Sequence, residues 1–247
     1  MNELSSLLKR SFEGMGFCQG DYEDAAAAVV WLEAHGMNGL ESIASTLSRR
    51  TTDTGIGVEL VADEPGAQVL DANDSNIAFC GRIAVDLACA DAATKGSGRI
   101  EIRRCHGRRA ILPSLNMCAA RGLHAIAYWY DRDSLHTASI TSQQPAPSYR
   151  RSRQRQDNDS RFAALFVVCS SSRQTIDAVA EELAGNSTAN MESTEVSSAD
   201  IRERYDTAVR DGLKVDSALF RTLTAAADAV LVEATERSRL GAGESRS

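Results

Sequence analysis

Apolar residues recur along this chain with two spacings, and the change from one to the other lays out the expected elements. Leu4, Leu7, Leu8, Phe12 and Met15 share one helical face, and Gly14 and Gly16 break the run. A second helix is predicted from near Asp21, whose carboxylate suits an N-terminus by capping and by the helix dipole. It continues through Ala25 to Glu33 and stops at Gly36. Leu40, Ile43, Ala44 and Leu47 mark a third helix. Each of the three has a single apolar face and needs something to pack against.

The period then falls to two. Val58 to Val61 and Gln68 to Leu70 read as short strands around the turn Asp63-Glu64-Pro65-Gly66. Ile83, Ala84, Leu87 and Ala88 mark a helix, and Arg99 to Arg104 alternates like a half-buried strand, with Ile100 and Ile102 on one side. Pro113 fits the first turn of a helix running from Ser114 to Arg121. Leu123 to Tyr130 is apolar on both faces and suits a strand inside a sheet. Leu135 to Thr141 is expected to pair with it across Asp131-Arg132-Asp133-Ser134, a hairpin turn by its position. Phe162 to Cys169 is the best candidate for a central strand. Helices are predicted from about Gln174 to Leu183, around Ile201, Tyr205, Ala208 and Val209, and from Ser217 onward. The last carries a stripe of Leu219, Leu223, Ala226, Ala227, Val230, Leu231 and Ala234.

Helices at both ends with strands between them give the expected class: α+β, with a mixed, mostly antiparallel central sheet on which helices from both chain ends pack. The alternation of strand and helix is too irregular for a Rossmann order. The expectation is one α+β domain over residues 1–247. Residues 142–160 are polar, basic and without an apolar period, which predicts a mobile surface loop; residues 185–198 also read as loop.

Composition narrows the partners. A charge of −7 argues against nucleic acid or an anionic membrane surface. The longest apolar run, Ala25 to Leu32, has eight residues, far short of a membrane span, and the N-terminus is amphipathic rather than a signal peptide. A soluble, cytoplasmic protein is expected. Six cysteines without a CxxC pair suggest buried, reduced thiols that behave as small hydrophobes.

Candidate chemistry is sparse. His124 shares a strand face with Ile126 and Tyr128, either as a general base or as a hydrogen-bonded core residue. Cys105 and His106 are adjacent, so a strand points them to opposite faces; a zinc site that joins them to His136 is weighed against this, and no metal site is expected. Gly55-Ile56-Gly57 and Gly96-Ser97-Gly98 are too short for phosphate loops. The run from Arg150 to Arg155 reads as a solvated stretch. Near the C-terminus Arg237 and Arg239 complement a helix dipole, Gly241 suits the position after a helix, and Gly243 allows close backbone approach.

Three stretches together resemble an uncharacterised bacterial family known as a domain of unknown function. They are Gly14-Met15-Gly16-Phe17 with Asp21 to Ala25 and Trp31-Leu32, then Ala110 to Leu115 running on to Gly122, and Ser238-Arg239-Leu240-Gly241-Ala242-Gly243. The resemblance implies a single family domain and carries no activity. Helical spacing around Gly36 and Gly39 is also similar to the non-Rossmann malate and lactate dehydrogenase family, a likeness set aside because it rests on spacing alone.

The leading functional expectation is a soluble metabolic protein, an enzyme or binder of a small anionic metabolite. Glu23, His124, Arg239, Gly241 and Gly243 are its candidate ligand-binding residues, with Arg239 as a bidentate anion clamp. No nucleophile, base and orienting group form a legible set, and the catalytic residues, cofactor and reaction stay unknown. The alternative is a non-catalytic accessory or assembly subunit that meets a protein partner, or a second copy of itself, through its helical surfaces.

Overall fold

A computed structural model of the chain describes residues 1–48, 57–64, 67–153, 164–185 and 193–228. Among them eight strands join one sheet: β1 (Glu59–Glu64), β2 (Ala67–Asn76), β3 (Ser97–His106), β4 (His124–Asp131), β5 (Ser134–Ile140), β6 (Ser148–Arg153), β7 (Leu165–Ser170) and β8 (Ser193–Val196). Their order across the sheet is β1-β2-β3-β7-β4-β5-β6-β8. Every neighbouring pair is antiparallel except β2 and β3. That parallel pair needs a crossover, which α4 (Ile77–Lys95) supplies.

Alternation along the strands decides what covers each face. On one face Ile100 and Ile102 of β3, Val167 and Cys169 of β7, and Ala125, Ala127 and Trp129 of β4 are buried in the main core. α4 lies along β3 and β7 there, and α5 (Leu112–Ala120) lies over β4 and β5. On the other face Ile126, Leu135 and Val168 form a smaller cluster with Ile176 and Leu183 of α6 (Arg173–Gly185). β4 and β7 are thus covered on both sides, which is why their sequences are continuously apolar.

The remaining helices build outward from α4 and α5. α1 (Asn2–Gly14), α2 (Gln19–Ala34) and α3 (Gly39–Ser48) bury Leu8, Phe12, Leu32 and Ile43 completely. Each such side chain contributes roughly 1.5–3 kcal/mol of transfer free energy. α2 packs on α4 and α5 and carries α1 and α3 at its sides. α7 (Ser198–Asp211) meets α2, where His35 stacks between Trp31 and Tyr205 at centroid distances of 3.9 and 4.9 Å. α8 (Ser217–Asp228) docks on α1 through Leu223 and Ala227, and the buried Ser11 hydroxyl donates 2.7 Å to the Leu223 carbonyl.

The α+β class and the mostly antiparallel sheet stand as expected, and helices from both chain ends pack around it. Several local expectations change. The stretch read as a loop over 142–160 contains β6, a strand bonded to both β5 and β8. The loop expected at 185–198 contains β8. α2 begins two residues before Asp21: Cys18 is its N-cap, and Asp21 sits in the first turn, where the dipole favours it. α4 starts at Ile77, six residues before the predicted stripe, because Asn76 caps it by accepting from the Ala78 amide at 2.9 Å.

Candidate functional site

Titratable side chains converge in a cleft between the start of α3, the end of β3 and the β4–β5 hairpin. Its volume is about 280 Å³, and its walls include Asn38, Glu41, His106, Arg108, Arg109 and Asp131, with Trp129 and His136 at the back. Pockets for drug-sized ligands run from about 300 to 1,000 Å³, so this one suits a small metabolite.

The strand register builds its floor. Trp129 and His136 are cross-strand partners, and their rings stack 5.1 Å apart within 5° of parallel. His136 is only 4% exposed. Its Nδ1 lies 2.7 Å from the Tyr149 hydroxyl of β6, and its Nε2 lies 2.9 Å from Asp131 Oδ2. The N–H at Nε2 is not aligned for a full hydrogen bond, so the contact with Asp131 is chiefly electrostatic. In the neutral ring protonated at Nε2, Nδ1 accepts from the phenol. His136 beside it holds the Asp131 carboxyl below the usual carboxylate value. Burial pushes the Tyr149 hydroxyl up, which keeps it a protonated phenol at neutral pH.

Two consecutive arginines enter from the 3₁₀ turn Arg108–Ile111, and they differ in role. Arg108 spends its donors on the protein: Nη1 reaches Tyr130 O at 2.8 Å and Asp131 Oδ1 at 3.3 Å, and Nε reaches Cys105 O at 3.4 Å. It fixes the hairpin. Arg109 sits over the Tyr149 ring at 5.7 Å and donates from Nη1 to Met37 O at 3.3 Å. A guanidinium fork at a cleft wall suits a carboxylate. The turn itself depends on Gly107, whose φ of +62° and contact with the Asn76 amide leave no room for a Cβ.

The opposite wall is held just as firmly. Glu33 accepts from the Leu40 amide at 2.9 Å and so caps α3. The Asn76 side chain donates to Ser42 O at 2.7 Å, which ties α3 to the junction of β2 and α4. A larger cavity, about 770 Å³, opens on the outer sheet face beside Tyr128, Phe166 and Tyr130. Two of its three arginines are paired, Arg103 with Glu101 and Arg104 with Asp71, and no histidine lines it. The smaller cleft is the one that brings histidines, arginines and carboxylates together.

The residues singled out in the sequence lie elsewhere. Glu23 is exposed on α2, with Gln19 donating to it at 3.5 Å. His124 opens β4 and accepts from the Ser142 amide at 3.4 Å. Neither lines any of these cavities. Arg239, Gly241 and Gly243 fall outside the described residues. His106 and His136 share the cleft, but Cys105 turns its sulfur to Ile102 O in the core and does not join them as a metal ligand. Five of the six cysteines are buried and unpaired, as expected of small apolar residues.

Residues 1–77 match the family described as a protein of unknown function (DUF3726). The N-terminal part resembles an uncharacterised domain family. The match takes in the first of the three stretches that suggested such a family and stops before the other two. No curated protein matches the chain. Among solved structures, malate dehydrogenase from Pyrococcus horikoshii is similar with a TM-score of 0.64 and 12% identity, over 94% of this chain and 95% of that one. Malate dehydrogenase from Entamoeba histolytica is similar with a TM-score of 0.68 and 9% identity, over 92% and 96%. Sulfolactate dehydrogenase from Methanocaldococcus jannaschii gives 0.60 and 10%, over 92% and 95%. At these identities the likeness is one of fold alone. It also corrects the sequence analysis: the likeness to malate and lactate dehydrogenases, set aside there, is present in the fold of nearly the whole chain. Among the described residues no helix is long and apolar enough to cross a membrane.

Proposed function

We propose that this chain binds a small anionic metabolite, of the size and charge of a short hydroxy acid, in the cleft over His136. Arg109 takes the role of anion clamp that the sequence analysis gave to Arg239. Asp131 and His136 form the polar floor, with Tyr149 bonded to His136 behind it, and the Asp131–His136 pair offers a site for proton exchange with a bound hydroxyl or carbonyl. The chain is taken as one α+β unit, since the sheet collects strands from Glu59 to Val196 and α8 packs on α1.

The observation that carries this reading is the position of Arg109 in the wall of a 280 Å³ cleft that also holds a buried histidine paired with a carboxylate. Support also comes from the fold neighbours, whose names include malate and sulfolactate, both small anions. Thermal melting against malate, lactate and sulfolactate is the test, because a ligand that binds only the folded state raises its stability. A rise in melting temperature that grows with ligand concentration, and that Arg109→Ala abolishes, is expected. If none of the anions shifts the melt, or if Arg109→Ala shifts as the parent does, the cleft is not the site, and an accessory role through the helical surfaces gains ground.

A further inference from the structure

Outside that cleft, three cysteines far apart in sequence meet in the core. Cys89 comes from α4, Cys118 from α5 and Cys169 from β7, and they are 2%, 0% and 0% exposed. Cys89 Sγ lies 3.5 Å from Cys118 Sγ, which lies 3.3 Å from Cys169 Sγ, and all three sulfurs fall within 4.8 Å of one another. We propose that Cys89, Cys118 and Cys169 form a three-thiolate site for a soft divalent d¹⁰ ion of the zinc and cadmium class.

Size and charge both fit. An ion with metal–sulfur bonds of about 2.3 Å holds three sulfurs about 4 Å apart; the two closer contacts, 3.5 and 3.3 Å, lie a little inside that spacing, and the third pair stays within 4.8 Å. Binding takes one proton from each thiol to solvent and forms three sulfur–metal bonds. Three thiolates around a divalent ion leave one net negative charge. The Arg121 guanidinium matches it: its charge acts on Cys89, and it also pairs with Asp86 at 2.6 Å. Arg121 is half-exposed and reaches from solvent to an otherwise buried cluster. Soft thiolate ligands select ions of this class over magnesium or calcium. Three protein ligands leave one position of a tetrahedral ion open for solvent or a small ligand. The other two buried cysteines, Cys80 and Cys105, hydrogen-bond to backbone carbonyls and stand apart from this group.

The experiment is a titration of the full chain, kept reduced by a phosphine, with Cd²⁺, read by ultraviolet thiolate-to-metal charge-transfer absorption. The band is expected to saturate at one ion per chain and to be displaced by excess Zn²⁺. Cys118→Ala and the near-isosteric Cys89→Ser should lose it, with folding checked by circular dichroism, while Cys80→Ala keeps it. Cadmium X-ray absorption on the unmutated complex should show three sulfur neighbours and depends on no variant. Absence of the band, its survival in folded Cys118→Ala, or fewer than three sulfur neighbours would overturn the proposal.

Discussion

His136 has one ring nitrogen against a phenol and the other against a carboxylate, so its orientation is set before any ligand arrives. Asp131 gains most from this arrangement. Its carboxyl is held below the ordinary value of 3.8, chiefly by the His136 ring. A depressed acid stabilises the fold at pH values above its unfolded pKa, and the gain is lost as pH falls through the folded value. Asp131→Asn should therefore lower stability at pH 7, and its difference from the parent should shrink as pH drops below 3.8. Because the Asp131 side chain is 55% exposed, screening limits the neutral-pH loss to under about 1 kcal/mol. Urea unfolding across acid pH measures it; a difference that stayed constant or grew on acidification would contradict the assignment. Little of this was legible in the sequence. Asp131 does sit at a hairpin turn, as its neighbours suggested, but a turn residue is also placed to reach a side chain five positions on. His136 was weighed only as a zinc ligand. The useful signal was its cross-strand partner Trp129, which becomes visible only once the hairpin register is fixed.

At the scale of elements, local pattern worked wherever one apolar face was enough. α1, α3, β3 and the β4–β5 hairpin follow their spacing closely. It failed for β6, where Ser148 to Arg153 has no apolar period. This strand is fixed by backbone bonding to β5 and β8 and by one buried anchor, Tyr149, while Arg150 and Arg151 stay outside the core. The position of α3 rests on a different device. A Cβ on Gly39 would meet the Val29 carbonyl oxygen and the Glu33 amide nitrogen of α2, so the two helices touch through backbone. Gly39→Ala must push α3 away, and overpacking of this kind costs about 1–3 kcal/mol. Chemical denaturation should show a lower midpoint with an unchanged slope. An unchanged midpoint would mean that α3 is not held by this contact, and the cleft wall formed by Asn38 and Glu41 would lose its support.

For the whole molecule, most elements apart from β6 and β8 could be read along the chain, but their assembly could not. β7 comes after β6 in sequence yet sits between β3 and β4, because its two apolar faces fit the slot covered by helices on both sides. That insertion brings Cys169 beneath Cys118, and the hairpin beside it places His136 across from the arginines of the 3₁₀ turn. Both groupings depend on contacts between residues far apart in the chain, which spacing does not encode. The most direct check on the cleft as an anion site is a crystal structure of the full chain soaked with malate. A carboxylate of malate within hydrogen-bond distance of Arg109, with the ligand seated over Trp129 and His136, is the predicted result. Malate ordered at another surface while the cleft holds none would contradict it.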